Sequence, residues 1–435
     1  MRNGSTVTGR APWARLLAPL PALLVVLVAL APLVLPWLGN VDDQRLVDLD
    51  VYRTGGRELL EGRPVYDFMT PAPQLLPFTY PPIAAMLATP LAMMSWPVAQ
   101  WVWTGLILLT LAVTVRYAFR PALERPALER PALERPAFER QGGWRLPLLL
   151  ALLTVACAYL MPIRDQFRFG QVDILLVALC LADCVAPRPP WPRGLLIGLA
   201  TAVKLTPGVF LIYLLLTGFG PGARKEQRDA FLMATFTATL LTVLPFLVIP
   251  SDAADFWFGA LLDPERLGAN AATTNQSVRG MLIRLYLPDQ LTSLLWLALV
   301  AVIAWYGFRH ARRALLDGHP TTAVALVGLM AVLLSPVAWI HHLAWVVVVL
   351  GALAGDGRDP VRVRVAAGVW LYYVLPVPWW GVTIKAAEIP VLSPVVGKIV
   401  QNGFGLGALV LVWLLGVWLP RRRAALPGDV ARLKA

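Results

Sequence analysis

The chain has 435 residues, 58% of them hydrophobic and only 15% charged, with a formal net charge of +12. Soluble domains carry about 25% charged residues, so a soluble globular protein is excluded. The basic excess falls between apolar blocks and at the C-terminus, which marks membrane topology rather than a nucleic-acid site.

In chain order, Arg2, Arg10 and Arg15 precede an apolar run from about Leu16 to Leu38. That run exceeds the roughly 7–15 residues of a signal-peptide core and reads as an uncleaved first span. Segment 39–82 is then the first outer loop, richer in acid (Asp42, Asp43, Asp48, Asp50, Glu58, Glu61, Asp67) than in base. Residues 83–96 are short and proline-flanked, which suits the membrane interface better than a span. Further apolar blocks lie near 97–118, 146–162, 172–187, 194–217, 230–250, 289–308, 321–335, 340–354, 365–380 and 404–420. Several are short for a bilayer, so broken, tilted or re-entrant helices are expected, with about twelve passes in all.

Residues 121–140 read PALERPALERPALERPAFER, four copies of one pentapeptide. A proline at every fifth position argues against continuous helix, and segment 119–145 is expected to be a cytoplasmic linker able to touch anionic lipid. Placing the basic segments 119–145, 309–319, 355–364 and the tail 421–435 in the cytoplasm puts both termini inside. Arg188 and Arg193 on one side of block 194–217, and Arg224, Lys225 and Arg228 on the other, conflict with a single crossing. The block is therefore expected to go in and back as two half-helices, meeting near Lys204 and Pro207. The whole chain, 1–435, then reads as one all-α polytopic membrane domain. Cys157, Cys180 and Cys184 lie in apolar blocks with no metal or redox spacing, so they read as packing residues.

This topology sends the unusual polar residues to the outer side: Asp48 and Asp50, RDQFRFGQVD at 164–173, NQSVRG at 275–280, SPVAWIHH at 335–342, QNG at 401–403 and the Lys204 break. Polar groups at membrane depth are costly and tend to line a cavity, so one shared cavity is expected. Asp48, just beyond the first span and before a Gly-Gly turn, is placed to act as a general base, with Asp50 as a possible second acid. In an extended chain the two would point the same way, as a metal-chelating pair does. His341 and His342 on a helix would diverge by about 100°, so one faces the cavity and the other packs, a poor metal site. Arg168, Lys204 and Arg279 are candidates to neutralise a phosphate beside the His pair, although Arg168 could pair with Asp173 and Lys204 could snorkel. Gln171, Asp173, Asn275 and Gln276 are expected as polar residues of the same cavity. No metal or cofactor is expected, though a divalent cation is not excluded.

The sequence resembles the GT-C-type glycosyltransferases of family 87, the actinobacterial polyprenol-phosphate-mannose-dependent α-mannosyltransferases. The resemblance rests on VDLDVYRTGG with PVYD at 64–67, FTYPPIAAML, FGQVD, GLATAVKLTPGVFLIYLLL, NQSVRG and SPVAWIHHLAW, in the family's order over nearly the whole chain. It implies a catalytic aspartate at Asp48 and a donor-phosphate role around the His pair. It also implies transfer of mannose from a polyprenyl-phosphate donor to a lipid or glycan acceptor on the extracytoplasmic face, inverting to an α-(1-2) linkage. The family commonly has asparagine where this chain has Asp173. A polyprenyl-phosphate-arabinofuranose donor, or a lipid-linked-sugar flippase, stays open at this point.

Overall fold

The computed structural model describes residues 19–40, 45–128, 145–263, 266 and 268–425. The described residues are helical apart from turns and two isolated bridges, Met69 with Pro77 and Asn275 with Trp339. The spanning α1 (Leu20–Leu38) is followed by α2 (Val47–Leu60), α3 (Pro82–Ala92) and α4 (Trp96–Ala118). Next come α5 (Arg120–Leu128), α6 (Arg145–Ala158) and α7 (Met161–Phe169), the last two meeting at an 82° bend. The short helices α8 (Asp173–Val185), α9 (Leu195–Val203) and α10 (Val209–Gly218) precede the long α11 (Lys225–Val248). A connection containing α12 (Pro250–Phe258) and α13 (Val278–Ile283) leads to α14 (Asp289–Leu316) and α15 (Pro320–Leu333). A 3-10 helix, Ile340–Trp345, opens into α16 (Val346–Ala354). α17 (Pro360–Val374), bent by 49° into α18 (Val377–Ala386), and α19 (Gly403–Ala424) complete the bundle.

Among the described residues five helices are long and apolar enough to cross a bilayer, or seven if each bent pair counts as one span. In α1, α11 and α14 only 17% of the apolar window is buried. Apolar surface left open at that scale is stable against lipid, so these helices form the outer ring. α15 is the opposite case: every residue from Thr322 to Leu333 is buried, as expected of a helix apolar on all sides at the centre of a bundle.

The central helices are short. At 1.5 Å per residue, α8, α9, α10, α15 and α16 span roughly 14–21 Å against about 30 Å of hydrocarbon. Their ends therefore stop inside the bundle, close to α2 and α3.

The segment from α9 to α10 goes in and back. Gly194 and Gly198 at the start of α9 press on Ala230 and Ala234 of α11, and Gly218 at the end of α10 presses on Arg228. Both ends of the segment thus sit beside the first turns of one helix, and its break, at Lys204 and Leu205, lies deep. Asp183 fastens the entry: its carboxylate accepts from the backbone N–H of Gly194 (2.9 Å) and Ile197 (3.0 Å) and from the Trp191 indole (3.2 Å).

The basic segments collect at the end of the bundle away from that break. Arg422 grips Asp359 at 2.7 and 3.0 Å, Arg423 donates to Thr322, and Arg224 donates to the carbonyl of Leu316.

Three expectations are corrected. The first pentapeptide is helical, in α5, because Pro121 falls in the first turn, where a missing N–H has no helical partner to lose. Arg120 also pairs with Glu124 one turn on. The helix runs on through Pro126 to Leu128; residues 129–144, like Asp42, Asp43, the N-terminal arginines and the tail beyond 425, lie outside the described residues. Gly55-Gly56 is no turn but the inside of α2, where a Cβ would meet the Phe78 ring at 2.7 Å and the Ala88 backbone at 2.8 Å. Asp48 and Asp50 consequently project from a helix about 200° apart and do not form a chelating pair.

Candidate active site

Five separate elements bring polar side chains together here. α2 supplies Asp48 and, one turn later, Tyr52. The loop before α3 supplies Tyr80, and the tight connection between α7 and α8 supplies Gln171 and Asp173. The break after α9 supplies Lys204, and the 3-10 helix supplies His341 and His342. Gly170 permits the tight connection: its φ is 72°, and a Cβ there would lie 2.8 Å from Leu49 of α2.

One half of the site surrounds Asp48. Gln171 donates to its carboxylate. The Gln171 carbonyl accepts from Tyr52 at 3.1 Å and from Tyr80 at 3.3 Å, and the two phenol oxygens are 2.9 Å apart. Burial pushes the Asp48 carboxyl up to about 7; the Gln171 bond and Lys204 oppose the rise, while Asp173 and Asp165 add to it. A carboxylate tuned to that range is a suitable proton acceptor near neutral pH.

The other half is cationic. Lys204 Nζ lies 2.8 Å from Asp173 Oδ1 and 2.9 Å from His342 Nε2, with the Tyr80 ring centroid at 5.3 Å. The backbone N–H of Trp339 donates to His342 Nδ1 at 2.9 Å. The neutral ring therefore carries its proton on Nε2, facing the ammonium. Two donors converge with no acceptor between them, the arrangement an anionic oxygen would satisfy. Asp173 Oδ2 and His341 Nε2 are buried without hydrogen-bond partners. Gln166, fully buried, ties the His pair to the α7–α8 connection by donating to the His341 carbonyl (2.9 Å) and accepting from Ile174 N–H (3.3 Å).

Both histidines face the same carboxylate: their Nε2 atoms lie 3.8 and 3.9 Å from Asp173 Oδ2. This corrects the expectation that one ring would pack away; both rings swing toward Asp173, which comes from a different element. Asp173, His341 and His342 thus offer three ligand atoms within 4.8 Å of one another. Lys204, in contact with two of the three residues, opposes a divalent ion there by its own charge.

The remaining candidates stand elsewhere. Arg168 is exposed and stacks on Trp37 (4.9 Å) and Phe169 (4.8 Å), whose ring in turn lies 6.2 Å from His341. Arg279 sits 5.6 Å from the Trp296 ring on α14. Asp50 faces away from Gln171, beside Arg53. Asn275 and Gln276 spend their amides on backbone: Asn275 accepts from Ala338 N–H (3.0 Å), and Gln276 donates to the Gln401 carbonyl and accepts from Gly405 N–H. They clasp the segment carrying the His pair to α19. Tyr52, Tyr80, Asp165 and Gln166 were not singled out in the sequence, although the last two lie inside the 164–173 motif expected at the cavity.

A half-buried carboxylate thus stands beside a converging donor pair among the helices of a polytopic membrane protein. Comparison with known proteins gives the family. Residues 78–336 match the model of glycosyltransferase family 87. The chain belongs to that family and is a membrane glycosyltransferase. It is 37% identical over 319 residues to a polyprenol-phosphate-mannose-dependent alpha-(1-2)-phosphatidylinositol mannoside mannosyltransferase of Mycolicibacterium smegmatis, covering 70% of this chain and 68% of the relative. Identity to the protein of that description from Mycobacterium tuberculosis is 36% over 339 residues, 76% of each chain. A pentamannoside mannosyltransferase of the same donor type from Mycobacterium tuberculosis is 30% identical over 346 residues, 77% of this chain and 72% of its own.

Proposed function

We propose that the protein transfers mannose from a polyprenyl-phosphate donor to a phosphatidylinositol-mannoside acceptor at the extracytoplasmic face, forming an α-(1-2) linkage with inversion. The observation that carries this reading is a carboxylate, Asp48, within the electrostatic reach of Lys204, which contacts His342 at 2.9 Å. The family and the names of the relatives supply the class of donor and acceptor. Family membership also turns the reading away from a flippase.

An acceptor hydroxyl attacks the anomeric carbon and gives its proton to the Asp48 carboxylate. The bond from the anomeric carbon to the phosphate oxygen breaks, and polyprenyl phosphate leaves with the electron pair. Lys204 and His342 donate to the leaving phosphate, with His341 adjoining, and Arg168 sits at the rim as a further cation. Asp173 anchors Lys204 rather than touching substrate. The basic segments gathered at the other end of the bundle support this sidedness through the positive-inside rule.

The test is transfer by purified protein in nanodiscs, offered polyprenyl-phosphate mannose or polyprenyl-phosphate arabinose with phosphatidylinositol mannosides. Mannose transfer lost in Asp48→Asn supports the proposal. Arabinose transfer alone would keep the mechanism and overturn the sugar.

A further inference from the structure

A recess of about 270 Å³ lies along the face of the helix carrying Asp48 that is turned away from Gln171. Its walls include Val47, Asp50, Arg53, Thr70, Gln74 and Trp96. Val47, Asp50 and Arg53 follow one another at three-residue spacing, so a single stripe of α2 lines it. Asp48 and Tyr52 occupy the opposite stripe, toward Gln171. The proposed chemistry does not use this recess.

We propose that it is a glycan subsite, holding a sugar or inositol ring of the acceptor that is not the ring attacked. This rests on the reading of the protein as a mannosyltransferase with a glycolipid acceptor. The lining carries the chemistry of polyol recognition: a carboxylate to accept from hydroxyls, a guanidinium to donate, and an amide that does both. Trp96, Val47 and Pro71 offer apolar surface to the C–H face of a ring. Asp50 and Arg53 balance in charge, so the recess has no net attraction for a phosphate.

The walls are built rather than incidental. Arg53 is held by a bond to the Met94 carbonyl at 2.8 Å and lies 5.9 Å from the Trp96 ring centroid, and its Nε is left without a partner. The loop bearing Gln74 is closed on itself, Thr70 N–H donating to the Leu76 carbonyl at 3.0 Å and Leu76 N–H to the Thr70 hydroxyl at 2.9 Å. The position is apt as well. Val47 is the first residue of α2 and Asp48 the second, so the recess and the base are separated by only the first turn of that helix. An extended acceptor can rest one ring in the recess and present the next around the helix end.

The experiment uses the full chain in nanodiscs with two acceptors, phosphatidylinositol dimannoside and octyl α-mannoside, and the variants Gln74→Ala and Asp50→Asn. The proposal expects wild type to favour the dimannoside. It also expects each variant to cut that preference about tenfold through acceptor KM, the worth of one polar contact, with donor KM unchanged. Preference retained in both variants would overturn it, and unchanged donor KM certifies that they are folded. Binding of the deacylated dimannoside headgroup is read separately, by saturation-transfer NMR on Asp48→Asn with and without Gln74→Ala. If wild type transfers to neither acceptor, the mannosyltransferase reading falls. The NMR then decides the subsite alone: headgroup signal lost with Gln74→Ala supports it, and signal absent or unchanged overturns it.

Discussion

Lys204 Nζ and His342 Nε2 stand 2.9 Å apart with hydrogens on both nitrogens, because Trp339 N–H already occupies His342 Nδ1. Two donors so close, in a buried site, are unfavourable until an acceptor oxygen arrives between them. That makes the pair a preorganised seat for a departing phosphate, strongest when the phosphate carries most charge.

Removing Lys204 alone would leave Asp173 as an unpaired buried carboxylate, and misfolding would then confuse the result. The informative variant is the double one, Lys204→Gln with Asp173→Asn, which removes both charges together. We expect it to melt close to wild type and to lose about 10²–10³-fold in kcat, the range for one lost donor to developing negative charge. Single-turnover transfer in nanodiscs measures this; wild-type kcat in the folded double variant would move the phosphate seat elsewhere.

Asp48 must be ionised to accept a proton, and burial holds its carboxyl up at about 7. Transfer should therefore rise with pH through that value and fall off tenfold per pH unit below it. In the Asp48→Asn variant the residual rate, about 10²–10⁴-fold lower, should lose this limb. A pH–rate profile of kcat/KM in both proteins checks the assignment. A limb that survives in Asp48→Asn would belong to another group.

Much of this site was legible because its residues break local rules. A lysine inside an apolar block, a proline after it and basic clusters on both flanks already implied a helix that goes in and back. Gly194 and Gly218 against one end of α11 are the physical form of that argument. The α2 helix was not legible. Its acid-rich start and Gly-Gly pair suggest a loop, and it is close packing on Phe78 and Ala88 that makes the glycines helical. Tyr80 and Gln171 meet Tyr52 from 28 and 119 residues away, a convergence that no spacing in the chain encodes. The amides of Asn275 and Gln276 illustrate the converse. Polar residues in a conspicuous motif satisfied backbone from distant segments, which a linear reading does not distinguish from lining a cavity.

The three ligand atoms of Asp173, His341 and His342 invite a metal, and the ammonium of Lys204 argues against one. Transfer by protein passed through EDTA and exchanged into metal-free buffer should match untreated protein. A loss restored by one divalent ion, and by no other, would reassign the cluster as a metal centre and leave Lys204 as its neighbour.

Asp183 lies at the far end of α8 from the chemistry, yet it governs where Lys204 ends up. Its buried carboxylate accepts from two backbone N–H groups at the start of α9 and from the Trp191 indole, and its backbone carbonyl accepts from Arg193. No other part of the chain holds those N–H groups in the described bonds, so Asp183→Ala strands two buried backbone donors and a part-buried indole at the mouth of the in-and-back segment. We expect a loss of about 2–4 kcal/mol, from a cap that is also a buried hydrogen-bond hub. Asp183→Asn keeps an acceptor oxygen and should lose about half as much. Thermal unfolding in nanodiscs would show the order wild type, Asn, Ala. Activity should fall in the same order, because α9 ends at Lys204 and any slackening of its entry moves the phosphate seat. Equal melting of Ala and wild type would mean that α9 is held by its packing on α11 alone.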